Sequence, residues 1–548
     1  MKRIVLLLFM VLSVCGNAQI PWPIIIKGAI DGVGYICTGI AAYNKIDDFI
    51  NHTEHESDIR KGITSYNEGN YAQAFAHFNE VDKDDKDAVR VMAHYYKALC
   101  RYKQGDFDKA KINVDRAINF KDYDLILSGK GDIDRLQGKA RKLKTDIEAA
   151  EYNRDGLSLL KKCLYSLAVE KFKKSADMGS PEGCYNLAYC YMKGDGIGQN
   201  FSKAFELFKK SNAIQSSDRA LEMLGICYFY GVGVRQNYSE AYNHLIKVNA
   251  GNRPEAQYLL AYCFYHGKGV GISETQAKKY FLLSAQNGYS QSQVEIGKFY
   301  LSGKCGFNKS LTEAFTNFKK AADNNNPEGQ YELGMCYLKE RGVNKDNKSA
   351  AQYFRLSAEN GFPEAQYRIA ACYEQGVGVD RDIDKAKEWL NKAVKQNNVD
   401  AISYLGRCYY NGTLMTQDYK MAVKYFQKVA DTDSKAQFFL GECYRLGHGV
   451  KKDTKLSLDW FKKASAQGHS GAQVKIGEYY LDQQKNKEAF DYFSKAAKAG
   501  DVDGLFYLGL CHEKGIGVKK DMTTAKSWYQ KAANKGSDKA KKKLANLK

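Results

Sequence analysis

Proline and tryptophan are scarce: 548 residues carry 6 Pro and 4 Trp. Beside so few prolines, the 48 glycines belong neither to a collagen repeat nor to a Pro/Gly-rich disordered tract. Long apolar runs are confined to the first 43 residues, which argues against a polytopic membrane protein. The 9 histidines are scattered and no two cysteines have CxxC spacing. Neither a zinc site nor a Ser/His/Asp or Cys/His constellation can therefore be read from spacing. What the chain has is aromatic residues, 39 Tyr and 26 Phe, and an ordinary charged fraction of 26%. Such a chain can bury enough surface to fold. Lys and Arg number 82 against 63 acidic residues, a net charge of +19, which favours acidic partners through long-range attraction.

The N-terminus has the pattern of an export signal. Met1-Lys2-Arg3 is basic, Ile4 to Val14 is apolar, and Gly16-Asn17-Ala18 offers small residues for a peptidase. The expectation is cleavage after residue 18, leaving a net charge of +17 and a periplasmic or secreted protein. Leu12-Ser13-Val14-Cys15 is an imperfect lipobox, so lipidation of Cys15 is the second reading. Residues 19–57 form an apolar leader. Its stretch Ile20 to Tyr43 is interrupted by Lys27 and Asp31. Membrane contact is expected only if Cys15 is lipidated or residues 20–43 associate.

From residue 181 onward the sequence repeats itself. Glu364-Ala-Gln-Tyr-Arg-Ile-Ala-Ala-Cys-Tyr returns as Lys435-Ala-Gln-Phe-Phe-Leu-Gly-Glu-Cys-Tyr. The frame occurs ten times around a small residue: Ala188, Gly225, Ala261, Gly297, Gly334, Ala370, Gly406, Gly441, Gly477 and Gly509. Each centre is preceded by Leu or Ile, and five residues earlier by Ala, Gly or Ser. This is helical spacing with a flank that admits a second helix. A Gly-rich connector such as Gly376-Val-Gly follows, then an amphipathic stretch with Ala386, Leu390 and Ala393 on one face. Each unit is helix A, loop, helix B. It can bury its apolar face only by stacking on neighbours. The fold class predicted is all-α, a right-handed α-solenoid of stacked antiparallel helix pairs.

The Ala-Gln-Tyr-x-Leu/Ile-Gly/Ala opening, the Gly-x-Gly-Val loop and the close Ala525-Lys-Ser-Trp528 resemble the Sel-1-like repeat family over residues 181–535. Two units depart from it. Around Gly477 the Gly-rich loop is missing, as in a plain tetratricopeptide hairpin, and Glu340-Arg341-Gly342 replaces one double glycine. Residues 58–150 resemble tetratricopeptide repeats, with Gly62, Tyr66, Gly69, Tyr71 and Ala74 echoed by Ala98, Tyr102, Gly105, Phe107 and Ala110. Residues 151–180 read as a further short-loop hairpin, and 536–548 as a basic capping helix. The resemblance implies a protein-interaction scaffold without choosing a partner.

Few other motifs survive inspection. Gly231-Val-Gly, Gly267-Lys-Gly and Gly447-His-Gly follow helices rather than strands, so they are turn glycines and not a nucleotide loop. Gly34 to Gly39 has phosphate-loop spacing, but Ile40 stands where Lys is needed. His52 and His55 lack the Glu position of a metalloprotease helix. Ser158-Leu-Leu-Lys161 has no supporting motif for acyl transfer, and no enzymatic activity or cofactor is predicted. Eight of the 14 cysteines share one repeat position: Cys190, Cys227, Cys263, Cys336, Cys372, Cys408, Cys443 and Cys511. Helices stacked about 9–10 Å apart hold equivalent cysteines beyond the roughly 7 Å limit for a disulfide. Those eight are expected to be buried free thiols, with Cys163 and Cys184 the candidates for pairing.

Binding is expected where helix A varies, at two residues before the centre and one and four after it, positions that share a face. In such a solenoid that face lines the concave side. The candidates are Met223, Phe229, Tyr262, Tyr265, Tyr404, Arg407, Tyr410, Phe439 and Arg445. Aromatic side chains with Arg are common anchors of protein interfaces. The partner expected is a protein or peptide, with nucleic acid not expected because the lysines are spread over helix B surfaces. The alternative is a binding module for a cell-wall glycan or another anionic envelope polymer.

Overall fold

The computed structural model describes residues 56–82, 87–119, 130–248 and 253–546. The expected signal, Cys15, the leader up to residue 55, the phosphate-loop-like stretch and the His52/His55 pair lie outside the described residues; the last two leader residues open the first described helix. The described residues hold 27 helices and no strand. They belong to two compact units divided between Asn249 and Ala250.

The first unit contains α1 (Glu56–Asn67), α2 (Tyr71–Val81), α3 (Asp87–Lys103), α4 (Phe107–Ile118), α5 (Lys130–Lys161), α6 (Tyr165–Asp177), α7 (Pro181–Lys193), α8 (Phe201–Ile214), α9 (Asp218–Tyr230) and α10 (Tyr238–Leu245). Three hairpins with tight turns precede two longer-loop repeats, α7/α8 and α9/α10. The domain boundary read at residue 150 falls inside α5, which is continuous over 32 residues.

The second unit contains repeats 3 to 10. These are α11 (Pro254–His266) with α12 (Glu274–Gln286), α13 (Ser290–Ser302) with α14 (Leu311–Asp323), α15 (Pro327–Lys339) with α16 (Asn347–Glu359), and α17 (Pro363–Gln375) with α18 (Ile383–Lys395). Then come α19 (Val399–Asn411) with α20 (Tyr419–Val429), α21 (Ser434–Leu446) with α22 (Thr454–Ala466), α23 (Ser470–Asp482) with α24 (Asn486–Lys498), and α25 (Val502–Lys514) with α26 (Met522–Asn534). Helix α27 (Asp538–Asn546) packs on α26.

Repeat 8 shows why the sequence folds this way. Asp433 caps α21 by accepting from the backbone N–H groups of Lys435 and Ala436. Gly447 ends the helix in the left-handed region, φ 78°, where a Cβ costs energy. Asp453 caps α22, accepting from Leu456 N–H. Each such cap contributes about 1 kcal/mol. Between the helices, Gly449 also has positive φ, and a Cβ there would overlap the carbonyl of Tyr419, the first residue of helix B in repeat 7. The same seat recurs as Gly378 on Asn347, Gly342 on Leu311 and Gly517 on Asn486, and in the first unit as Gly196 on Tyr165 and Gly233 on Phe201. The second loop glycine is therefore the docking point of one repeat on the preceding one. Repeat 5 has Glu340 at the first loop position, held left-handed at φ 56°. Repeat 9 turns tightly through Gln484 at φ 57°.

The core has one recurring contact. The central glycine of helix A receives a large side chain of helix B: Gly297 with Phe318, Gly334 with Phe354, Gly406 with Phe426, Gly441 with Phe461 and Gly509 with Tyr529. In the short-loop hairpins the partners are Gly62 with Phe78, Gly156 with Phe172 and Gly477 with Phe493. The two residues are 16 apart with the short turn and 20 or 21 apart with the Gly-rich loop. The longer loop thus inserts about one helical turn without disturbing the contact.

Candidate functional site

The helix A face of repeats 6 to 8 gathers five of the nine predicted site residues. Tyr404 on α19 reaches back to repeat 6, where its hydroxyl donates to Glu374 of α17. Burial, then this hydrogen bond, pushes its ionisation well above the ordinary phenol value. Arg407, one turn on, lies over two rings, 5.6 Å from the centroid of Tyr404 and 5.9 Å from that of Phe439 on α21. Tyr410 packs edge-on to Phe439 at 5.3 Å, and burial pushes its hydroxyl up to about 12. Phe439 also stacks on Phe426 of the core at 5.2 Å. Arg445 makes a fork to Glu442, Nε to Oε1 at 3.0 Å and Nη2 to Oε2 at 2.6 Å.

The other four candidates lie elsewhere. Met223 is half-buried against the cluster of Ala188, Phe208 and Leu224. Phe229 corrects the expectation of exposure: only 6% of it is accessible, and it packs edge-on to Tyr230 and Tyr238. Tyr262 and Tyr265 belong to repeat 3. Tyr262 lies 4.2 Å from the His266 ring, and Tyr265 lies 4.9 Å from Phe299.

Several residues of the site had no pattern to reveal them. His448 stands between the loop glycines of repeat 8 and stacks on Tyr419 at 4.1 Å, with Tyr410 5.7 Å away. Both lie in or beside loops, outside the helix A periodicity. Glu374 does occupy a variable position, four residues after its centre, and its pairing with a tyrosine 30 residues later was the missing information. The glutamine of the Ala-Gln-Tyr opening is structural. Gln257, Gln330, Gln366 and Gln437 are buried and accept from Asn287, Asn360, Gln396 and Gln467 respectively, at 2.9–3.1 Å.

All eight repeat cysteines are buried and free. Burial pushes the thiols of Cys190, Cys227, Cys263 and Cys372 up to about 11, and those of Cys336, Cys443 and Cys511 to about 12. The two candidates for pairing are free as well, Cys184 in the core and Cys163 on the surface. Among the described residues no group of three His, Cys, Asp or Glu is arranged to hold a metal ion. No described helix is long and apolar enough to cross a membrane.

Stacked helix pairs of this kind define an α-solenoid scaffold. The chain belongs to the Sel1 repeat family: the Sel1 repeat profile matches residues 181–213, 218–247, 254–289, 290–326, 327–362, 363–398, 399–431, 434–469, 470–501 and 502–537. Among solved structures it is similar to a protective antigen of uropathogenic Escherichia coli that displays an SLR fold. That match has 28% identity and a TM-score of 0.53, and covers 69% of this chain and 82% of the antigen. Among curated proteins it is similar to DAP3-binding cell death enhancer 1 of Rattus norvegicus, 39% identical over 15% of this chain and 17% of that protein. It is also similar to chitin synthase regulatory factor 2 of Schizosaccharomyces pombe, 24% identical over 31% of this chain and 35% of that protein. The chain thus spans well under half the length of these curated relatives.

Proposed function

We propose that this chain is an exported scaffold that holds a protein partner on the helix A face of repeats 6 to 8. The observation that carries this reading is the cluster of Tyr404, Arg407, Tyr410 and Phe439, drawn from two repeats into one half-buried surface. Aromatic residues around an arginine are the composition of an interface anchor. The family supports the scaffold role, and the names of the two curated relatives, a DAP3-binding protein and a regulatory factor, suit proteins that act by contact. Export rests on the basic start, apolar run and small residues of positions 1–18. The location proposed on that basis is the envelope or surface of a bacterial cell.

A glycan would need open ring faces. Here Phe439 has one face against Phe426 and Arg407 near it, and Tyr419 is covered by His448. That occupancy favours a protein partner over a stacked sugar. The test is retention of envelope proteins on residues 19–548 at physiological salt, with Tyr404→Ala/Arg407→Ala/Tyr410→Ala in parallel. A discrete protein held by the first, lost from the second and rebinding when purified is expected. Retention only of anionic polymer, equal in both and removed by salt, would overturn the reading. N-terminal sequencing of the exported protein tests cleavage after Ala18.

A further inference from the structure

The cations on the helix A face of the second unit are almost all matched. Lys298 is paired with Glu295 at 2.9 Å and Glu328 at 2.6 Å, Lys475 with Glu478 at 2.8 Å, and Arg445 with Glu442. Arg368 has no ion pair among the described residues, but the neighbouring Tyr331 hydroxyl favours its charged form. Two of the acids are used as well: Glu374 accepts from Tyr404, and Glu478 accepts from Tyr507 at 2.8 Å in addition to Lys475. Arg407 is the exception. Among the described residues it has no ion pair, and its Nε is buried without a hydrogen-bond partner. Its guanidinium is positioned only by the rings of Tyr404 and Phe439. The hydroxyl of Tyr410, one turn further along α19, also finds no hydrogen-bond acceptor among the described residues, and it stays protonated up to about pH 12.

An arginine held on aromatic faces is pre-oriented, and its two terminal Nη groups match a carboxylate through two parallel hydrogen bonds. We infer that Arg407 and Tyr410 form the carboxylate-binding anchor of this face, and that its occupant is an Asp or Glu side chain in an extended segment of the partner protein. This rests on the scaffold reading above. The carboxylate becomes the one acid on the face that the chain itself does not provide, which gives the net positive charge a local use.

The test uses a displayed library of random linear peptides panned on the full chain, with Tyr404→Ala/Phe439→Ala as counter-target. Enriched peptides should carry a shared Asp or Glu. Replacing that residue with Asn or Gln should weaken binding by about ten- to a hundredfold. Arg407→Gln should weaken it equally, with no further loss when both changes are combined, and Arg407→Lys should fall between. Amidating the peptide C-terminus should have little effect; a large effect would move the anchor to the terminal carboxylate and overturn the side-chain assignment. Enriched peptides that lack an acid, or that bind Arg407→Gln as well as wild type, would overturn the anchor and leave the aromatic face standing. Peptides that bind the counter-target equally well, or no enrichment at all, would overturn the scaffold face and the anchor together. The peptide substitutions are read on unaltered protein, so a folding defect in a variant cannot mimic the result.

Discussion

Gly441 and Phe461 share one volume: a Cβ on Gly441 would stand 2.5 Å from Cε1 of Phe461. The phenyl ring of helix B fills the space where helix A has no side chain. The energetic price of a methyl group follows from overpacking, about 1–3 kcal/mol. Gly441→Ala should lower the unfolding free energy of its region by that amount. Repeat 6 pairs Ala370 with the smaller Leu390 in one core cluster. Gly441→Ala/Phe461→Leu should therefore recover part of the loss, and denaturant unfolding of the two singles and the double checks this non-additivity.

Glu340 is predicted to be a weak point that glycine repairs. It occupies the left-handed region that glycine fills in most other repeats, at φ 56°. A side chain there costs about 1–2 kcal/mol. Glu340→Gly should stabilise repeat 5 by about 1 kcal/mol after the extra freedom of glycine in the unfolded chain is counted. Hydrogen exchange of α15 and α16 reads the change locally.

Gly449→Ala is predicted to act on repeat 7 rather than on its own repeat alone. The added Cβ would meet the Tyr419 carbonyl at the start of α20, and φ is positive besides. Backbone cannot move aside as a flexible side chain can, so a cost of about 2 kcal/mol or more is expected. Faster amide exchange at the start of α20 would be the signature. Unchanged exchange there would contradict the docking role of the second loop glycine.

The cysteines should give the fold an alkaline limit. Burial raises Cys336, Cys443 and Cys511 from 9.0 to about 12 in the folded chain. A folded value above the unfolded one means that folding holds the proton more tightly. This contribution is complete below pH 9 and is lost as pH rises from 9 towards 12. Stability should fall across that window, and less steeply in a Cys336→Ala/Cys443→Ala/Cys511→Ala variant measured against its own neutral-pH value. At pH 8 a thiol reagent should label surface Cys163 and leave the eight repeat cysteines unmodified until unfolding.

The repeat itself was legible in the sequence because its signals are local. Leu or Ile at the centre minus one, and small residues at the centre and five before it, each act within a few residues. The left-handed glycines are equally local. The inner face was only partly legible, since its contacts join residues about 30 apart that carry no shared pattern: Tyr404 with Glu374, Tyr507 with Glu478, His448 with Tyr419. A variable position can hold an interface residue or a packing residue, and Phe229, buried against Tyr230 and Tyr238 of its own repeat, shows the second outcome. The boundary read at residue 150 cuts helix α5, because residues 151–180 read as a separate short-loop hairpin. In the structure Gly156 is the small residue that receives Phe172.

The most direct measurement is photocrosslinking in the cell that makes this protein, with benzoylphenylalanine placed at Ala371 on the helix A face of repeat 6 or at Lys428 on helix B of repeat 7. The scaffold account predicts that position 371 captures one discrete protein and position 428 does not, and that Arg407→Gln weakens the capture. Equal capture from both positions, or none from position 371 in a correctly folded chain, would contradict it.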